Sequence, residues 1–529
     1  MSANLQEYKD ITGQLASVCG ADHVLTDDAD REFYAMDVYS QRELPIAVVQ
    51  PGSVDELQAV VRIASGAGAA LVARGGGASY TDGYLPSTAN SLLIDTARMD
   101  RIIEINAEDM YVTVEPGITW ADLTAALAER GVRTAFWGPF SGLKATVGGT
   151  MSQNAVSLGS GNYGCSADTA VSFDVVLASG DILSTGSKAM SEASPFFRHY
   201  GPDLTGIFTG DAGAFGIKAR ITLRLVTLPA HSGTASFGFN TFDDMSGGMA
   251  NAARTGVVAD TFGLDPKLQQ GQLGSTSAKD AIEAVFAVLK TSTNPIDGLV
   301  RVFKMAIAGK RFLSGFDYSA HYVVEGGSRA EIRAKLAALR KAMAEHGTEI
   351  ANTIPTVLRA MPFIPLYPIL GPRGQRWVPM HGILPFSRIG EFNRRLQEFY
   401  ARHQAKMDEH KVEYAAMFTT ISTNGFLYEP VFYWEDDRTP YHSRYLPQEY
   451  LDMLPEYPAN PEGRAYVEEL RREIKTIFKD MGAVHMQVGK SYPYLDGRQD
   501  HAIHILKDIK KSLDPEGLMN PGALGGLQG

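Results

Sequence analysis

The sequence predicts an α+β protein built from more than one domain, and three observations predict it. At 529 residues the chain is too long for one ordinary hydrophobic core. Residues 1–230 alternate short strand-like and helix-like segments around glycine-rich turns. From about residue 231 the texture changes to longer amphipathic helices with strand-like stretches between them, which suggests a second α+β unit.

In the first part, Ile46–Val49 reads as a short strand that ends at Pro51-Gly52. Ser53 then caps a helix, with Glu56 three residues on in the capping-box position. Ala69–Val72 is a buried strand followed by Arg74-Gly75-Gly76-Gly77-Ala78-Ser79. Strands follow at 91–95 and 111–115; Pro116-Gly117 ends the second, and Thr119 opens another helix. Residues 174–183 read as a hairpin around Ser179-Gly180, and 219–225 alternate as a half-buried strand does. In the second part, helices are expected over 280–289, 329–346 and 389–410, with strands over 319–324 and 414–421. A last helix is expected over 503–512. Residues 353–370 are apolar but hold Pro355, Pro362, Pro365 and Pro368, which argues for an irregular pocket wall or interface.

Composition excludes several classes. A net charge of −11 disfavours nucleic acid or anionic membrane as a general partner. Two cysteines, Cys19 and Cys165, support neither a disulfide framework nor a zinc-cysteine site. Glu435-Asp436-Asp437 lacks histidine spacing and reads as a solvated turn, so no metal is expected. No 18-residue apolar run and no secretory leader is present; the expectation is a cytoplasmic protein with at most peripheral membrane contact.

The triple glycine carries the chemistry. It strips a turn of side chains so that backbone N–H groups can approach an anion, and Arg74 places positive charge beside it. The pattern reads as a diphosphate pocket. Four segments accompany it: Val114–Thr119, Thr146-Val-Gly-Gly-Thr-Met-Ser-Gln-Asn154, Gly210-Asp-Ala-Gly-Ala-Phe-Gly-Ile217, and Leu513–Gly522 with its Asn520-Pro521-Gly522. Tyr80 stands where the dinucleotide fingerprint G-x-G-x-x-G has its last glycine, which disfavours a nicotinamide-binding domain.

In order and spacing these segments resemble the vanillyl-alcohol oxidase/p-cresol methylhydroxylase superfamily of FAD-dependent oxidoreductases. The resemblance implies a two-lobed FAD-binding domain (1–230, completed by 486–529) with an inserted cap over 231–485. It implies FAD contacts from Arg74, Gly75, Gly76, Gly77, Ala78, Ser79, Pro139, Thr146, Gly148, Gly149, Ser152, Gly213, Gly216, Ile217 and Asn520. RGGGASYTDG and NPG look like the glycolate oxidase/D-lactate dehydrogenase group; Trp377–Pro385, Tyr428–Trp434 and Gln487–Tyr494 look like cap and pocket segments of the phenol oxidases.

Departures from the family narrow the chemistry. Ala78 occupies the position of a flavin-linking histidine, so no covalent link forms there; Tyr428 stands near a second linking position, and noncovalent FAD is favoured. Ser491-Tyr492 replaces the Tyr-Arg pair of the phenol oxidases, and Phe140 falls where they hold a carboxylate. The metal-binding histidine cluster of the hydroxy-acid group is absent. Candidate catalytic residues are His381, His485, Tyr428 and Tyr492; Trp377, Gln487, Lys490 and Tyr494 are candidate substrate contacts, while His442 and Cys165 read as structural. The implied activity is oxidation of a bulky or aromatic alcohol, with O₂ or an electron carrier as acceptor and a homo-oligomeric assembly. A 2-hydroxy-acid dehydrogenase, a para-phenol oxidase and a non-catalytic electron-transfer subunit are the alternatives.

Overall fold

A computed structural model describes residues 2–269 and 315–527; the helix expected over 280–289 lies outside them. Three sheets organise the described residues. The first joins β1 (Val24–Leu25), β2 (Ala47–Val49), β4 (Ser91–Asp95) and β3 (Ala70–Arg74) in that order, with β2, β4 and β3 parallel. The second has the order β5 (Ile102–Asn106), β6 (Tyr111–Val114), β10 (Ile217–Thr227), β8 (Ala170–Val176), β9 (Ile182–Ser184), and β7 (Val132–Thr134) adds to the end of β10.

The third sheet is antiparallel. Its order is β14 (Thr348–Ile350), β11 (His231–Phe239), β13 (Tyr318–Gly326), β12 (Val258–Leu264), β17 (Val412–Ile421), β18 (Gly425–Trp434), β15 (Arg376–Pro379), with β16 (Gly382–Leu384) also on β18. One face is dry: Met245, Met249, Leu339, Phe392, Phe399 and Phe478, from covering helices, pack on Phe418, Tyr428, Phe432 and Trp434. The other face is open to a cavity.

The local expectations rest on identifiable hydrogen bonds. Ser53 Oγ accepts from Glu56 N–H and starts the helix Val54–Gly66, while the Glu56 carboxylate accepts from Gly52 N–H. Thr119 caps Trp120–Ala128 by accepting from Asp122 N–H. The carboxyl end lies against the first sheet: Leu71 N–H donates to Leu518 C=O, Asn520 N–H donates to Leu71 C=O, and Met519 is fully buried.

Residues 353–370 depart from expectation. Thr353–Ala360 is an α-helix despite Pro355. Asn352 is its N-cap, so Pro355 falls in the first turn, where a backbone N–H has no intrahelical acceptor and its loss costs little. Its Ile354, Val357 and Leu358 face the cavity, together with Met361, Ile364 and Leu366 beyond it. Among the described residues, no helix is long and apolar enough to cross a membrane.

Candidate active site

A single cavity of about 1230 Å³ runs between the glycine-rich turns and the open face of the third sheet. It exceeds the ~300–1,000 Å³ usual for one small ligand, as a dinucleotide with a substrate beside it requires. Its two walls differ in chemistry, and each follows from local sequence.

One wall is backbone. Residues 74–79, Pro139, 145–146, 148–150, 152–153, 155–158 and 212–213 with 216–218 line it. The glycines are needed because this wall is pressed against itself. A Cβ on Gly76 would lie 1.7 Å from Lys144 C=O, and one on Gly75 would lie 2.2 Å from Thr146 Oγ1. Thr146 also caps the helix Val147–Gln153, and Gly148 sits against Pro116. Of the residues expected to hold the cofactor, all but Asn520 line this wall.

Arg74 needs correction in its role. Its guanidinium does not stand free beside the turn; it is buried under it, over the rings of Phe33, Tyr34 and Tyr84, and it donates to Tyr34 C=O and Tyr445 Oη. Tyr445 Oη in turn donates to Gly76 C=O, and Tyr441 and Tyr84 hydroxyls donate to Gly77 C=O. Arg74 makes no ion pair among the described residues. A buried cation without a carboxylate, directly behind a loop stripped of side chains, is complemented by a polyanion in the loop, so these residues fit a dinucleotide diphosphate. Asn520 acts one step back: its Nδ2 donates to Gly83 C=O and Ala212 C=O, tying two cavity loops to the carboxyl end.

The other wall is the cap, and strand parity decides which residues reach it. On β18, Glu429, Val431 and Tyr433 face the cavity, whereas Tyr428, Phe432 and Trp434 point into the dry core. Tyr428 is therefore corrected: it packs edge-on against Phe392 and Phe418 and donates to Asn393 Oδ1, so it is neither a pocket residue nor placed to link a cofactor. Tyr428→Phe is expected to leave flavin content unchanged and to cost about 1 kcal/mol of stability for one lost hydrogen bond, measured by urea unfolding.

Glu429 is the residue that sequence reading passed over. Its carboxyl makes no ion pair among the described residues, lines the cavity, and is pushed up to about 7 by burial among apolar neighbours. Met417 and Val431 flank it on the sheet. Trp377, Tyr80 and Gln487 line the same cavity; Tyr80 packs edge-on to Trp377, and Gln487 Oε1 accepts from Ser79 Oγ.

Of the other expected site residues, Trp377 and Gln487 line the cavity and the rest do not. His381, His485 and Tyr492 form a stack behind Tyr80. Tyr492 lies 4.0 Å from the His485 ring and its hydroxyl oxygen accepts from His381 N–H. Burial pushes His381 down to about 3 and His485 down to about 4, so both rings are neutral near pH 7 and poor proton acceptors. Lys490 points away, donating to Leu85 C=O, with burial lowering its amine to about 7. Tyr494 stacks under Arg498 outside the cavity. His442 is buried and accepts from Thr439 N–H through Nδ1, the structural role expected.

A second polar group sits where the cap meets the glycine wall. Glu325 on β13 pairs with Arg133 on β7 and, at 2.7 Å, with Arg359 of the helix Thr353–Ala360. Asp260 on β12 accepts from Gly159 N–H at 2.6 Å; burial, then the nearby Glu325 carboxylate, pushes it up to about 6. Both guanidiniums lie over the Trp137 ring, Arg133 at 5.7 Å and Arg359 at 5.0 Å from its centre. Trp137, Asp260 and Arg359 all line the cavity.

Comparison with known proteins bears on the backbone wall first. Residues 45–186 match the model of an FAD binding domain. The chain is 33% identical over 224 residues to the glycolate oxidase subunit GlcD of Bacillus subtilis (strain 168), covering 42% of this chain and 46% of that protein. It is 29% identical over 284 residues to the mitochondrial D-lactate dehydrogenase [cytochrome] of Arabidopsis thaliana, covering 53% and 48%. The chain thus spans about half the length of these curated relatives. A p-cresol methylhydroxylase structure with substrate bound superposes with a TM-score of 0.73 at 17% identity, over 98% of this chain and 97% of that one. The shared fold includes the cap.

Proposed function

Because the chain belongs to the vanillyl-alcohol oxidase/p-cresol methylhydroxylase superfamily of FAD-linked oxidoreductases and carries its FAD-binding domain, we propose that it oxidises the CH–OH group of a bulky or aromatic alcohol to a carbonyl. One observation carries this reading: an unpaired carboxyl, Glu429, with its pKa at about 7, stands on an apolar and aromatic wall of the cavity whose other wall is the diphosphate cradle.

The cradle residues Gly75 to Ser79, Thr146 to Gly149 and Ala212 to Gly216 would hold FAD, with Arg74 behind them neutralising its diphosphate. Bound FAD supplies the hydride acceptor. Glu429 is placed to take the hydroxyl proton, because a carboxylate with a raised pKa is a stronger base than one in water and is still ionised above neutrality. Trp377, Tyr433 and Tyr80 offer ring faces and edges to an aromatic body, and the Gln487 side chain offers a hydrogen bond beside them. The apolar helix 353–360 and the segment after it keep water from the carboxylate.

A 2-hydroxy-acid substrate is the second reading, supported by the similarity of the first half to glycolate oxidase and D-lactate dehydrogenase. The electron acceptor is O₂ or a carrier protein. Anaerobic mixing with aryl alcohols is expected to bleach the flavin, and acid precipitation to release it from the protein, because Ala78 offers no linking atom and Tyr428 points into the dry core. A flavin that stays oxidised with aryl alcohols but is bleached by D-lactate or glycolate selects the second reading. Colour retained in the acid pellet overturns noncovalent binding.

A further inference from the structure

We propose that the end of the cavity at Trp137 and Arg359 is an anion subsite, and that the alcohol substrate carries a carboxylate there, remote from the carbon that is oxidised. The inference rests on the activity proposed above and names the substrate class more narrowly.

Hydrogen-bond donors without acceptors cluster at this end of the cavity. Two guanidiniums, Arg133 and Arg359, share the one carboxylate of Glu325. Asp260 is in ion-pair contact with neither; it balances the second positive charge near neutral pH from close by, without taking a hydrogen bond from either guanidinium. The Arg359–Glu325 approach is not aligned as a hydrogen bond. Three N–H donors at this spot have no acceptor among the described residues: Trp137 Nε1, Arg133 Nε and Arg359 Nη1. Trp137 is 5% exposed and Arg133 2% exposed, so water does not readily satisfy them. Trp137 and Arg359 line the cavity, and buried donors at a cavity wall, one of them on a guanidinium, are matched by an anion that accepts hydrogen bonds.

The sheet register gives the spacing. Glu429 pairs with Met417, which lies beside Leu264 on β12, and Asp260 is four residues further along β12. Two strand spacings across and four residues along place Asp260 and Glu429 roughly 16 Å apart at Cα. In a simple 2-hydroxy acid the carboxylate adjoins the carbinol carbon, so that molecule cannot reach both groups. A benzyl or cinnamyl alcohol with a carboxylate at the far end of its body can, and the apolar residues between, Phe262, Leu264 and Met417, suit such a body.

The test compares para-carboxylated benzyl and cinnamyl alcohols with their uncharged parents in anaerobic flavin reduction by the holoenzyme. The wild type is expected to prefer the carboxylated alcohols. In Arg359→Gln the ratio of the two kcat/KM values should fall roughly tenfold to a hundredfold, carried by KM, for the loss of a charge-assisted contact. Arg359→Lys should recover part of the ratio, and Trp137→Phe, which keeps the ring but removes one donor, should lower it less.

No preference in the wild type overturns the proposal. So does a parallel fall for charged and uncharged alcohols together with a lower flavin potential, which assigns the donors to the cofactor. If no alcohol is oxidised, the activity reading fails and the subsite is read separately, by titrating para-substituted cinnamate into the oxidised holoenzyme. A flavin absorbance shift that weakens in Arg359→Gln then supports it, and no shift overturns it.

Discussion

Glu429→Gln should lower the rate of flavin reduction by an aryl alcohol by about 10²–10⁴, the usual worth of a positioned base, and should at the same time make the protein more stable at pH 8. Both effects come from one fact: burial pushes this carboxyl from 4.5 up to about 7. Below pH 4.5 the group is neutral in folded and unfolded chains and contributes no penalty. As pH rises from 4.5 to about 7, the unfolded chain gives up its proton first, and stability is lost through that window. The loss amounts to about 3 kcal/mol once both states are ionised. Glutamine keeps the shape and carries no charge, so its holoenzyme should unfold at higher urea than wild type at pH 8 and at equal urea at pH 4. A variant that is slower but no more stable at pH 8 means that Glu429 is solvated in the folded protein.

Gly76→Ala should yield protein without flavin. The new methyl would stand 1.7 Å from Lys144 C=O, and the atom it meets is backbone, which cannot swing aside as a side chain can. The turn must open, carrying with it the Gly76 and Gly77 carbonyls that Tyr445, Tyr441 and Tyr84 hold. Overpacking of ~3 kcal/mol weakens FAD binding by roughly a hundredfold. Gly66→Ala is the control: it ends the helix Val54–Gly66, and nothing lies within 4 Å of an added Cβ. Flavin absorbance per protein after gel filtration reads both variants. Full occupancy in Gly76→Ala means that the turn does not form the cradle.

These two residues also show how differently the two walls are written in the sequence. Gly75 to Gly77 were readable because a turn of glycines does one local thing, and its neighbours in the chain are its neighbours in space. The cap wall depends on strand parity, which aromatic content obscures. Tyr428 and Glu429 are adjacent, and the tyrosine drew attention, but the sheet sends it into the core and turns the glutamate to the cavity. A count along Glu429, Val431 and Tyr433 against Tyr428, Phe432 and Trp434 holds that information once the core face is known.

His381 and His485 are basic side chains in the sequence, yet burial without a counter-charge removes that basicity in the fold. The Trp137 end could not be read at all. Its members stand at 133, 137, 260, 325 and 359, and they meet only because β7, β12, β13 and the helix 353–360 converge where the cap rests on the glycine wall. Pro355 misled in a simpler way, since a proline forbids a helix only beyond its first turn.

The role of Glu429 is tested most directly by the pH dependence of anaerobic flavin reduction by an aryl alcohol, followed by stopped-flow absorbance in wild type and Glu429→Gln. The expected wild-type rate rises with pH to a plateau, with a midpoint at about 7 where Glu429 ionises, and the glutamine variant shows a low rate without that limb. A flavin that no aryl alcohol reduces, or a limb that survives unchanged in Glu429→Gln, contradicts it.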